Sequence, residues 1–105
     1  MTTKTKVAIT RVQELPVRAG IPVTIDGHSI AVFKVTDGSV YAIENKSPHP
    51  KGGVLSEGLV SGNYVFCPVY DWKISLIDGK VQAPDEGQVQ TYHVDIEQNT
   101  IYISI

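Results

Sequence analysis

The sequence predicts an all-β fold, a small antiparallel sandwich or barrel. Three observations predict it. Asp-Gly dipeptides stand at Asp26-Gly27, Asp37-Gly38 and Asp78-Gly79, each flanked by β-branched or aromatic residues; both residue types tolerate the positive φ that a tight hairpin needs. The C-terminal segments alternate between apolar and polar residues, the mark of a sheet with one buried face. No window of helical length keeps a 3.6-residue period, and prolines at 16, 22, 48, 50, 68 and 84 interrupt most candidates.

Taken in order, strands are predicted at about Lys6–Thr10, Ile21–Ile25, Ser29–Val35, Val40–Glu44, Tyr64–Cys67, Trp72–Leu76, Val89–Ile96 and Ile101–Ile105. Ser29–Val35 is apolar on both faces: Ile30 and Val32 on one, Ala31, Phe33 and Val35 on the other. That pattern fits a central strand between two packed layers. In Val89–Ile96, Tyr92, Val94 and Ile96 are expected to face the core, opposite Thr91, His93 and Asp95. Ile101, Ile103 and Ile105 line one face of the last strand. Between Asn45 and Gly62 the strand pattern lapses into glycines, prolines and short polar residues, an ordered excursion of a length that usually carries function.

The chain has 105 residues with 42% hydrophobic residues and a formal charge of -2. One domain, residues 1–105, is expected, with a modest core. The charge balance excludes the basic face of a nucleic-acid binder. No apolar run reaches the roughly 18 residues that would cross a bilayer, and the start lacks a secretory h-region. A single cysteine rules out an intrachain disulfide. The expectation is a soluble protein of a reducing compartment, the cytoplasm, with neither nucleic acid nor membrane as partner.

The chemistry-bearing residues gather in two loops, at about residues 45–62 and 67–72. The first reads Ser47-Pro-His-Pro-Lys-Gly-Gly-Val-Leu55 and the second Cys67-Pro-Val-Tyr-Asp-Trp72, with 17 residues between His49 and Cys67. The layout resembles the Rieske family, whose C-x-H and C-x-x-H loops hold a [2Fe–2S] cluster with two Cys on one iron and two His on the other. Gly52, Gly53 and Leu55 after the first pair, and Pro68 and Trp72 around the second, are similar to the family's loop framework. The stretches "VYAIENK", "LSEGLVSGNYVFCP", "DWKISLIDGKVQAPDEG" and "TYHVDI" extend the likeness over most of the chain. They resemble the small subunits of assimilatory NAD(P)H-dependent nitrite reductases, a Rieske-like family with members that have lost cluster ligands. The chain departs from the family pattern at Pro50, inserted between His49 and Lys51 where many members read C-P-H-K-G-G.

The resemblance implies a Rieske-like fold with Ser47, His49, Cys67 and Tyr70 at the four ligand positions. Ser47 offers an alcohol, and Tyr70 a phenol of reference pKa about 10; neither replaces a thiolate or an imidazole. Each iron would keep one suitable donor, so no iron–sulfur cluster and no metal is expected. A zinc ion held by His49, Cys67 and Asp71 would have too few donors for a structural site. Cys67 reads as a small buried hydrophobe, His49 as a surface or hydrogen-bonded imidazole, and Trp72 as a core anchor of the second loop. Tyr70 would fill the vacated volume, and Ser47 would cap its own loop. Ser47, His49 and Asp71 have the residue types of a nucleophilic triad but no nucleophile-elbow signature, so no independent active site is expected. His28 and His93 lie outside both loops.

By the same resemblance, the partner is the large nitrite reductase subunit, carrying flavin, a [4Fe–4S] cluster and siroheme and reducing nitrite to ammonium. The small chain would support or dock to it. Pro48, Val54, Leu55, Pro68 and Val69 are expected to form an apolar docking tip, rimmed by Lys51, Glu57 and Asp71. The alternative is a Rieske-type ferredoxin with unusual ligation.

Overall fold

In the computed structural model, which describes residues 6–47, 53–68, 71–83 and 85–105, the chain forms three small antiparallel sheets. The first has the order β1 (Lys6–Arg11), β10 (Thr100–Ser104), β9 (Val94–Glu97). The second runs β2 (Ala19–Ile25), β3 (His28–Lys34), β4 (Val40–Glu44), β8 (Thr91–Tyr92). The third is β5 (Leu59–Ser61), β6 (Tyr64–Phe66), β7 (Lys73–Ser75). Single 3-10 turns occupy Val12–Glu14 and Leu55–Glu57. The predicted all-β class is the one observed.

The two apolar faces of β3 explain how three sheets share one small domain. Ala31 and Phe33, with Val35 just beyond the strand, pack with Ile43, Leu55, Val65, Cys67, Ile74 and Leu76. Ile30 and Val32 pack with Leu15, Ile25, Ala42, Ile101 and Ile103. The strand is therefore a wall between two cores, one under the third sheet and one under the first. Ile101 and Ile103 are fully buried and Ile105 packs against the second core, as the alternation predicts.

Turn chemistry sets the registers. Asp26 and Gly27 have φ of 49° and 81° and close a two-residue hairpin that pairs Ile25 with His28; such turns need positive φ at both central positions to match the strand twist. At Asp37-Gly38 the loop is wider. The Val35 N–H donates to the Ser39 carbonyl at 2.9 Å, and the Ser39 N–H donates to Asp37 Oδ1 at 2.8 Å. Gln98 and Asn99, with φ of 51° and 66°, close the β9–β10 hairpin, a turn the Asp-Gly signal does not flag.

Two expectations are corrected. Val89–Ile96 is not one strand: it breaks at His93, with Ala42 pairing Tyr92 on one side of the break and Ile103 pairing Val94 on the other. The break lets one segment leave the second sheet and join the first. Tyr92 and Val94 do pack on the second core. Ile96, opposite the buried Ile101 on an edge strand where the core ends, stays 47% exposed. The second correction is β5, inside the stretch where no strand is predicted; three residues are too few for alternation to register.

Candidate functional site: two loops on one core

The first loop leaves β4 through Asn45, which is buried. Its Oδ1 accepts from the Ser56 backbone N–H at 2.8 Å, and its Nδ2 donates to Ser56 Oγ at 3.2 Å. Its own N–H donates to the Ser29 carbonyl at 3.0 Å. One amide side chain thus ties the loop's departure to its return. The Ser47 N–H donates to the Gly53 carbonyl at 3.0 Å, closing the loop a second time, and Ser47 is 2% exposed. The return is the Leu55–Glu57 turn, held by the Glu57 N–H on the Val54 carbonyl at 3.1 Å and the Gly58 N–H on the Leu55 carbonyl at 3.0 Å. Gly58 is required by close approach: a Cβ there would stand 2.4 Å from the Phe66 carbonyl oxygen, inside any van der Waals contact.

The second loop is closed by the Cys67 N–H donating to the Trp72 carbonyl at 2.9 Å. Asp71 turns the chain with φ of 51°, a conformation that a short polar residue tolerates better than most. The Cys67 side chain is fully buried in the cluster containing Leu55, Val65 and Ile74, and Trp72 packs against the same cluster. Both loops therefore grow from one apolar base: Cys67 is buried in it, as expected, and Trp72 is partly buried against it.

Ser47 and Cys67 are buried at the two loop bases. His49 and Tyr70, with Pro48, Lys51 and Val69, lie outside the described residues. Of the residues expected at the docking tip, Val54 is 43% exposed and Pro68 is exposed. Leu55 is not part of that tip. It is fully buried, because the 3-10 turn folds it inward against β2 and β3. Glu57 and Asp71 are exposed. Among the described residues no three His, Cys, Asp or Glu side chains gather as a metal site. His28 and His93 line a cavity of about 210 Å³ with Gln90, Tyr92 and Ser104, formed by other elements. The Asn45–Ser56 clamp carries no sequence signal, since its members stand eleven residues apart in a loop.

Residues 6–104 match the family described as the Rieske-like [2Fe-2S] domain. The nitrite reductase [NAD(P)H] large subunit of Klebsiella oxytoca is 31% identical over 100 residues; the match covers 91% of this chain and 10% of that protein, so the chain spans about a tenth of that relative's length. A solved structure described as a nitrite reductase NADPH small subunit is 30% identical with a TM-score of 0.81, covering 94% of this chain and 97% of that one. A solved structure described as an NADH-dependent nitrite reductase small subunit from Mycobacterium tuberculosis shares the fold at a TM-score of 0.89 and 24% identity, covering 99% of this chain and 97% of that one. Ferredoxins and oxygenase components are also among the similar chains. Matched from its first described strand to its last, the chain belongs to the Rieske-like [2Fe–2S] domain family.

Proposed function

We propose that this chain is the small subunit of a cytoplasmic NAD(P)H-dependent nitrite reductase, works without an iron–sulfur cluster of its own, and supports or docks to a large subunit that holds the flavin, [4Fe–4S] and siroheme groups. The assembly reduces nitrite to ammonium in nitrate assimilation. The observation that carries the reading is the 30% identity, along essentially full length, to a chain described as a nitrite reductase small subunit. The Klebsiella protein adds to it: a stretch resembling this chain lies within a nitrite reductase large subunit, so such a domain is at home beside the rest of that enzyme.

The cluster named in the family description does not fit this donor set. A Rieske centre takes two thiolates on one iron and two imidazoles on the other. By the family's ligand pattern, Ser47 and Tyr70 replace the second thiolate and the second imidazole, which leaves Cys67 and His49 as single donors to different irons. An alcohol and a phenol that keep their protons near neutral pH are hard, weak donors to iron already bound by sulfide. What the loops retain is a closed framework: the Asn45–Ser56 clamp, the Ser47–Gly53 and Cys67–Trp72 backbone bonds, and Leu55 and Cys67 in the shared core. Val54 and Pro68, with Pro48 and Val69, make the docking tip of this reading.

The test is recovery of the tagged chain from nitrite-grown cells and identification of what accompanies it. A co-purifying siroheme- and flavin-containing reductase is the expected result. Recovery alone, or with an oxygenase or its reductase, overturns the reading. The similarity to ferredoxins supports a second reading, an electron carrier with unusual ligation, and colour separates the two: the carrier is brown and the subunit colourless.

A further inference from the structure

The outer face of the third sheet is built unlike an ordinary solvent-facing surface. Val60, Val65 and Ile74 point inward to the core. Period-two alternation therefore turns Leu59, Phe66 and Lys73 outward, and the ladder sets them side by side, with Leu59 opposite Phe66 and Phe66 opposite Lys73. Tyr64 lies on the same side, beyond Phe66. Leu59 is 77% exposed, the most open of the large hydrophobic residues described. The Lys73 ammonium lies 4.2 Å from the Tyr64 ring centroid and 5.9 Å from that of Phe66. The two rings hold it by their negative faces. The ion pairs among the described residues involve Lys6 and His93 alone as cations, so a half-buried, positioned cation sits in an apolar strip with no carboxylate among the described residues within ion-pair distance.

This arrangement selects the occupant. A second copy of the chain, related by a two-fold axis through the strip, would set one Lys73 ammonium against another, a like-charge contact that becomes costly once water is excluded. An apolar surface alone would bury the ammonium unpaired. A protein surface that is apolar with one carboxylate satisfies both the strip and the cation. The strip is also continuous along the chain with the exposed tip: Phe66 leads through Cys67 to Pro68, and Val54 leads through the 3-10 turn to Leu59.

Resting on the proposed function, we infer that the large reductase subunit covers the outer face of the third sheet as well as the tip, and that it places an aspartate or glutamate against Lys73. The strip is the larger apolar part of the interface, and Lys73 fixes the orientation of the partner.

The experiment co-expresses the tagged full chain with the large subunit of the same organism and measures the large subunit retained per tagged chain. The wild type, Lys73→Glu, Lys73→Arg, Leu59→Asp and, at the tip, Val54→Asp are compared, each with its melting temperature. The expected result is retention by the wild type and by Lys73→Arg, and loss of about tenfold or more in Lys73→Glu and Leu59→Asp at unchanged folding, as for a charge placed against a desolvated partner. Restriction to folded variants keeps a misfolded Leu59→Asp from counting, and Lys73→Glu then decides. Retention by folded Lys73→Glu and Leu59→Asp overturns the inference. If Val54→Asp alone releases the partner, the tip docks and the strip does not, which overturns the inference while sparing the functional reading. A wild-type chain that retains no large subunit defeats both. A wild-type dimer on size exclusion, dissolved by Leu59→Asp, would show a second copy on the strip and overturn the choice of occupant.

Discussion

Leu55 is a loop hydrophobe that builds its loop from within instead of facing solvent. It occupies a loop rich in glycine and proline, yet it is fully buried and shares a cluster with Cys67, Val65 and Ile74. Truncation to alanine removes its buried hydrocarbon and leaves a cavity, which together cost about 2–5 kcal/mol for Leu→Ala changes in cores. Relaxation here is restricted. The turn carrying Leu55 is held by the Glu57 and Gly58 backbone bonds, and Gly58 is already in close approach to the Phe66 carbonyl. The expected cost is therefore in the middle of that range, about 3–4 kcal/mol. In a domain of this size each kcal/mol lowers the melting temperature by about 4–8 °C, so Leu55→Ala should melt about 12–32 °C below the wild type. Val54→Ser, one residue earlier on an exposed side chain, should stay within about 0.5 kcal/mol. Thermal unfolding followed by circular dichroism reads both. A Leu55→Ala variant that melts with the wild type would refute the argument that this side chain anchors the loop from within.

Two further predictions rest on other parts of the framework. Asn45→Ala leaves the buried Ser56 N–H without its acceptor, an expected loss of about 1–3 kcal/mol, and amide exchange should show Ser56 opening faster while the β2–β3 ladder stays protected; unchanged exchange at Ser56 would count against the clamp. On the opposite side, Lys6 on β1 reaches Asp95 at 3.4 Å and Glu97 at 2.5 Å on β9, and His93 Nε2 lies 3.1 Å from Asp95 Oδ1. Partial desolvation pushes the Asp95 carboxyl upward, but the hydrogen bond and charge of His93 and the Lys6 ammonium outweigh it and hold the carboxyl below its usual 3.8. A depressed folded pKa contributes stability above the unfolded value and loses it as pH falls through the folded one. Asp95→Asn should therefore flatten the decline in melting temperature below about pH 4, and an acid limb identical to the wild type's would refute this role.

Much of the fold is legible in the sequence where one residue type decides one local outcome. Asp26-Gly27 announces a two-residue hairpin because both residues accept positive φ, and β3 announces itself as a central strand because neither face is polar. Legibility fails where two distant segments decide together. The strand break at His93 exists because Tyr92 is claimed by β4 and Val94 by β10, a competition absent from the local alternation. Leu55 reads as a loop-tip hydrophobe until β2 and β3 are placed beneath it. Asn45 and Ser56 look like generic loop polar residues, and only the closed loop makes them partners. At the candidate site the donor types at residues 47, 49, 67 and 70 are legible from residue identity. The burial of Ser47 and Cys67 belongs to the fold.

Iron and acid-labile sulfide, measured on protein purified anaerobically, bear most directly on the central claim that these loops keep a cluster-type framework without the donors for a cluster. A colourless protein with iron and sulfide far below one per chain is the expected result. About two irons and two sulfides per chain, the content of a [2Fe–2S] centre, with visible Rieske absorption would contradict it.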